Sequence, residues 1–458
     1  MKLNNPILLS FITILIWLIP IGNTHGNTIG HVNIGRVAVE NQSFRSQQIG
    51  GEKALEQVFV KVSGNPSILN NDTIKKAVDN FEQYMVASSF NQIDEQLFFE
   101  ARFNQQKIES LLMASGLPVW TNIRPNTTLW LAYSPSLSNE ISEQVVVSQN
   151  VETELKQAVK QASFSRGVDV VIPLGDFEDA TNVSYFDVAN HLMIKVRDSS
   201  IRYGTDYFIS ASLQKIDAQK AQLAQSLLLE EREKIAINED VSAAAINGEL
   251  VQDSISTPFL DDALIAQDNI SENEMNLQTN VNDNILFVDP IQGSNSSQPT
   301  MSIKSLADVT IPDDAEYKLD YVIAKSTDFS FNLKARGRLY SSSDNNLLNQ
   351  LINIYANLIA TEFSLTSAGD DTDISDLKID VANIDSLQDY IEVVELLTSI
   401  PAITSVSLIS QSGTNSRLLV DQSIAVAQLV SILSLDNRVS LINSKLDDTN
   451  TIFINWLK

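Results

Sequence analysis

Val168-Asp-Val-Val-Ile-Pro-Leu174 is the stretch on which the fold turns. A short apolar run bounded by glycine reads as a strand buried on both faces of a sheet. Before it, residues 151–165 place Leu155, Ala158, Val159 and Ala162 at helical spacing. After it, a helix is expected from Tyr185 to about Tyr203, then a strand over Tyr207–Leu213. Leu129–Tyr133 supplies a further apolar strand. Strands alternating with helices predict a parallel α/β sheet.

Upstream, residues 29–39 read as a strand. Leu55, Val58, Phe59 and Val62 mark a helix that Gly64 ends and Pro66 keeps from restarting. A second helix follows Asp72, with Ile74, Ala77, Val78, Phe81 and Met85 on one face. Leu97, Phe99, Ala101 and Phe103 alternate as a half-buried strand, and Asn104 caps a helix that stops at Gly116 and Pro118. The expectation is a small βααβα domain over residues 27–124. The central α/β domain takes 125–216 and resumes over 317–366 with the strand at Phe329, Phe331 and Leu333 and the helix Leu347–Phe363. Between these parts, residues 217–316 read as an acidic disordered insert with one helix over Ala218–Ile237, because no basic residue stands between Lys234 and Lys304 and no period is sustained. Residues 367–458 order their elements as a ferredoxin-like βαββαβ domain.

The first 26 residues read as a secretory signal peptide: Lys2, an apolar core from Pro6 to Ile21, then a small-residue exit at Thr24 and Gly26. The core is short for a membrane span, which takes about 20 apolar residues. An uncleaved anchor is the competing reading. No later segment is apolar enough to span, so the expected location is periplasmic or secreted.

Asp and Glu number 57 against 31 Lys and Arg, a net charge of −26. Such a chain is a poor partner for nucleic acid, which selects clustered cations. It has no cysteine, which removes disulfides, thiol nucleophiles and thiolate metal sites. Beyond the signal only His31 and His191 remain for imidazole chemistry, and His31 reads as a terminal surface residue.

Gly116-Leu-Pro-Val-Trp120, Arg124-Pro125 and Leu129-Trp-Leu-Ala132 resemble a bacterial envelope family known as domain of unknown function 2066. Ala54-Leu55 through Gly64, Arg166-Gly167 through Asp179, and Arg202-Tyr-Gly-Thr-Asp206 fit it too. The resemblance implies an exported protein of Gram-negative bacteria and carries no catalytic residues.

Chemistry is sparse. Asp176, Glu178 and Asp179 follow the carboxyl end of the 168–174 strand, where open α/β sheets place ligands, and His191 lies a short way on. An acidic loop that caps a helix is the competing account. Trp120 and Arg124, flanked by prolines at a domain boundary, are candidate binding anchors or an inter-domain packing pair. Ser212 with Lys215, and Ser343-Asp344-Asn345, match two motifs of penicillin-recognising enzymes, but the third is missing. Asp370, Asp371, Asp373 and Asp376 lack EF-hand spacing and read as a linker. No cofactor or metal is expected.

Three functional readings stay open: a non-enzymatic module that binds another envelope protein, a hydrolase or small-ligand-binding protein using Asp176, Glu178 and Asp179, or a cation or glycan binder. The signal reading is checked by N-terminal sequencing of the protein from the host envelope. A mature chain starting at Asn27 is expected; a chain retaining Met1 would make the segment an anchor.

Overall fold

The computed structural model describes residues 30–93, 96–137, 141–151, 154–227, 310–327, 329–366, 377–443 and 450–457. They fall into two compact units, Ile29–Thr366 and Ser367–Lys458. The first unit opens with β1 (Ile34–Ala38) and α1 (Phe44–Ser63). The Ser43 side chain accepts from the amide of Ser46 at the start of α1, and Gly64 closes it in the left-handed region, its N–H on the Val60 carbonyl. Side-chain caps of this kind are worth about 1 kcal/mol each. Next come α2 (Asp72–Asp79), β2 (Met85–Ile93), β3 (Gln96–Phe103) and α3 (Gln105–Ala114). The strands form an antiparallel sheet in the order β1-β3-β2, and Leu55, Phe59, Phe81, Phe99 and Phe103 pack between it and the helices.

The second helix was expected to run through Met85. Instead it stops at Asp79, the chain takes a tight turn at Phe81–Gln83, and β2 begins. An edge strand leaves most of its side chains in water, so β2 carries no alternation to read.

The same unit continues through β4 (Val119–Trp120), β5 (Thr127–Ser134), β6 (Val145–Val147), α4 (Glu154–Arg166) and β7 (Val170–Val171). Three short helices follow, α5 (Phe177–Asn182), α6 (Tyr185–Ala189) and α7 (Met193–Ser200), then β8 (Tyr207–Lys215) and a helix, α8, over residues 218–227. After the insert come β9 (Tyr317–Ser326), β10 (Phe331–Ser341), α9 (Asp344–Phe363) and β11 (Ser364–Leu365). The large sheet runs β10-β9-β8-β5-β6, with β7 also against β5. It is mixed rather than parallel. Only β7 and β8 run parallel to β5; β6, β9 and β10 pair antiparallel with their neighbours. The crossovers through helices give parallel pairs, whereas direct returns give antiparallel ones.

The helix expected over 185–203 is broken at His191, whose φ is +53°. The run 168–174 pairs only at Val170–Val171. The ends of the insert belong to the fold: α8 is helical, Ile311 and Ala315 are buried, and Gln222 Nε2 donates to the Ile311 carbonyl at 3.0 Å. The remainder of the expected disordered segment, 228–309, lies outside the described residues, as do the aspartates of 370–376.

Trp120 and Arg124 are sealed inside this unit, at 1% and 2% exposure, and offer no surface to a partner. The Arg124 guanidinium lies 3.7 Å from the Trp120 ring. It donates to the carbonyls of Thr121 (3.0 Å), Lys61 (2.6 Å) and Gly167. Arg166 donates in turn to the Gly64 carbonyl at 3.0 Å and to Asn357 Oδ1 at 2.7 Å. The last carbonyls of a helix lack partners within it and carry partial negative charge. Two arginines therefore close the C-termini of α1 and α4 together. Burial, with Arg166 nearby, lowers the Arg124 pKa to about 9. Gly167 has φ +62°, and a Cβ there would stand 2.9 Å from Arg124 Nη1. The β4–β11 pair joins the end of α9 to the same region through Ser364 opposite Trp120.

The second unit holds β12 (Leu377–Ala382), α10 (Leu387–Thr398), β13 (Ile403–Ser412), β14 (Asn415–Gln422), α11 (Val426–Leu433), β15 (Val439–Asn443) and β16 (Thr451–Trp456). Its sheet runs β13-β14-β12-β16-β15. The ferredoxin-like expectation is corrected by one strand: β16 lies between β12 and β15 and runs parallel to β12. Ile452, Ile454 and Trp456 are buried, and that apolar row draws the final strand into the middle of the sheet.

Arg124→Lys keeps a cation but cannot span the carbonyls of two helix ends. It is expected to destabilise the 29–366 unit by about 3 kcal/mol or more, read as a fall in the denaturant midpoint. An unchanged midpoint would remove Arg124 from its structural role.

Candidate functional site

The acidic loop is built by the chain leaving β7. At Gly175 φ is +72°, and a Cβ would stand 2.2 Å from Ser148 Oγ, so a glycine is required there. Asp176 then caps α5 by accepting from the Asp179 amide at 3.0 Å. From the turn before β8, Arg202 reaches back and holds both Asp176 oxygens at 2.8 Å. The same guanidinium is 2.9 Å from Asp179 Oδ1 and 3.6 Å from Glu178. Asp179 is buried, and its other oxygen accepts from the Gly175 amide at 2.8 Å and the Tyr203 hydroxyl at 2.6 Å.

Arg202 holds the Asp176 carboxyl far below the usual carboxylate range, and Asp176 holds the guanidinium above its own. Burial, with the Asp179 carboxylate, pushes Tyr203 up to about 12. A general acid or base works best with a pKa near the operating pH and a free oxygen facing the substrate. Asp176 has neither, because both its oxygens are spoken for.

His191 does not join this loop through any hydrogen bond. Its Nδ1 is 3.0 Å from Ser210 Oγ, and that hydroxyl donates to the Val188 carbonyl at 3.0 Å, so Nδ1 carries the proton. His31 is half-buried rather than exposed: its ring stacks on Phe164 at 4.9 Å and its Nε2 is buried. Ser212 is buried within β8, and its hydroxyl accepts from Gln214 rather than meeting Lys215, which lies 3.9 Å from Glu316. Among the described residues no group of three or more metal-binding side chains comes together.

Beside the acidic loop is a cleft of about 330 Å³ lined chiefly by Trp130, Val146, Pro173, Ala180 and Val183, with Asp179 at its wall. It forms where one edge of β5 changes partner. β7 covers Thr127–Thr128 and β6 covers Leu131–Tyr133, approaching from opposite directions. Both chains turn away in between, linked by the Gln149 amide on the Pro173 carbonyl at 2.8 Å. Crevices at such divergences, beyond strand carboxyl ends, are where open α/β sheets bind ligands. The Trp130 indole is fixed by Ser200 Oγ at 2.9 Å. The segment around the cleft also exposes large apolar side chains: Phe177 at 88%, with Leu174, Phe186, Leu192, Ile194 and Ile201.

Sequence reasoning located the carboxylates and missed Arg202 and Tyr203 as their partners. The local signal was a cation and a phenol just before β8, but nothing in the spacing joins residue 202 to residue 176.

The family described as Domain of unknown function (DUF8605) matches residues 27–121. That corrects the resemblance to domain of unknown function 2066, a different family. The matched stretch takes in the three-stranded sheet and ends at Thr121, before β5. No curated protein and no solved structure matches the chain.

Burial lowers both imidazoles, His31 with help from Lys61 and Arg124, to about 4 from an ordinary 6.5. The unfolded chain therefore binds more protons between those values, and stability falls as pH drops from about 6.5 to about 4. Asp176, with its depressed pKa, adds its loss only below its unfolded value of 3.8. Melting temperature across this range should show the first decline. His191→Asn, which tolerates positive φ, should flatten it; a wild-type slope in that variant would contradict the assignment.

Proposed function

We propose that this chain is an exported cell-envelope protein that acts without catalysis, by binding another protein. The docking surface is the layer of short helices, residues 174–203, with its adjoining cleft. The observation that carries the reading is the concentration of exposed apolar side chains there, led by Phe177 at 88% exposure. Monomeric soluble surfaces rarely gather large apolar groups unless something covers them. Helix α7 packs against both α5 and α6, which gathers these side chains in one layer. The partner's chemistry follows from the rim. An apolar side chain suits the Trp130–Val183 cleft, and a cation suits Glu178, which is 61% exposed and only 3.6 Å from Arg202 at its nearest.

The reading of residues 1–26 as a cleaved signal rests on their composition, and the periplasmic or secreted location follows from it. The acidic surface argues against nucleic acid. Among the described residues no helix is long and apolar enough to cross a membrane. The alternative, a hydrolase or small-ligand-binding protein using Asp176, Glu178 and Asp179, finds no support in a loop where Arg202 contacts all three carboxylates.

A photo-crosslinking residue placed at position 177 in the exported protein tests this in its own host. Capture of one protein from position 177, not from the exposed Lys53 on α1, and its loss in an Ile194→Asp background, is the expected result. Equal capture at both positions, or none despite correct export, would overturn the docking surface.

A further inference from the structure

On the β9 and β10 side of the large sheet, one face changes from apolar to polar two residues along the strands. Phe208 opposite Ala324 belongs to the core that packs with Val188 and Val196. The next rows on the same face do not. Ser210 lies opposite Val322, which lies opposite Arg336; Ser212 opposite Asp320, opposite Arg338; Gln214 opposite Lys318, opposite Tyr340. Directly paired residues share a face, and so do alternate residues along a strand. The Ser210 hydrogen bonds to His191 and to Val188 identify it as the face toward α6 and α7.

The charges on this face do not balance. Asp320 is its carboxylate, and two cations already share it: Arg338, with Nε at 2.5 Å and Nη2 at 3.2 Å, and Lys318, with Nζ at 3.2 Å. Arg336 has no hydrogen bond or ion pair among the described residues. Arg336, Lys318 and Arg338 all act on the His191 imidazole against Asp320 alone. Three cations and one carboxylate leave an excess of two positive charges, in a chain whose net charge is −26. The distant acidic surface is screened beyond about 8 Å at physiological salt, so the local excess decides what settles here.

We propose that this face of β8, β9 and β10 binds a small phosphate dianion, free or as a phosphomonoester group, at Arg336, with Arg338 and Lys318 alongside. Alternate residues on one strand stand about 6.8 Å apart. Arg336 can turn its whole guanidinium fork toward one tetrahedral group, while Arg338, whose Nε and Nη2 already hold Asp320, and Lys318 add positive charge beside it. The excess of two charges matches a dianion. His191 lies within electrostatic reach of the same charges, with Nδ1 committed to Ser210. This site rests on the sheet cations rather than on the exposed apolar side chains of the short helices, so either can fail without the other.

The test is calorimetric titration of the full exported chain with inorganic phosphate and with glycerol phosphate, at constant ionic strength set by chloride. Saturable binding is expected, weakened about tenfold or more in Arg336→Gln and by less in Arg336→Lys, which keeps the charge without the fork. The control Arg45→Gln, on an exposed stretch of α1, should bind like the parent. The His191 imidazole resonances should move on titration. Tighter binding of glycerol phosphate assigns the site to a phosphomonoester, and tighter binding of inorganic phosphate to the free ion. Binding undiminished in both Arg336 variants overturns the proposal, as does the lack of binding of either probe by the parent at about 10 mM.

Discussion

The first unit depends on the closure of two helix C-termini by two buried arginines. The ends of α1 and α4 would each leave carbonyl groups without partners in a dry interior, where an unmade hydrogen bond costs about 1–3 kcal/mol. Arg124 and Arg166 fill that need with guanidinium forks, and the Trp120 ring covers one of them. Lys61 contributes from the same helix end, its ammonium donating to the Ile34 carbonyl at 2.7 Å. Backbone dipoles, rather than carboxylates, are the acceptors drawn to these cations. The three-stranded sheet and the large mixed sheet are joined through this knot and packed around it.

A similar economy shapes the acidic loop. A lone guanidinium, Arg202, gathers Asp176, Glu178 and Asp179, and Tyr203 takes the remaining oxygen of Asp179. Carboxylates held in this way position a loop, and Asp176 stays ionised far below neutral pH. The result is a rigid wall for the cleft beside Trp130, while apolar side chains on the neighbouring short helices stay in water.

The helices were legible wherever capping and periodicity agreed. Ser43 and Gly64 bracket α1, Asn104 opens α3, and Ser386 with Asp389 forms a capping box at α10. Legibility failed at edges and at pairings. The edge strand β2 shows no alternation because most of its residues meet solvent. The position of β16 beside β12 could not be read, since local pattern says that a strand exists but not which neighbour it takes. Of the candidate site, the carboxylates were visible as a cluster, whereas their cation came from 23 to 26 residues away.

By itself the sequence determined composition-level facts: a strongly acidic, cysteine-free chain, a mixed α and β content, and the places where glycine and side-chain caps end helices. These are local or additive properties, set by residue type and by neighbours within one or two turns. The tertiary structure alone decided that Trp120 and Arg124 are interior, that Arg202 binds the acidic loop, and that Arg336, Arg338 and Lys318 share a face with His191. Each of these depends on strand register or on contacts between distant segments. Such pairings are set by how whole elements pack, and no window of sequence contains both partners.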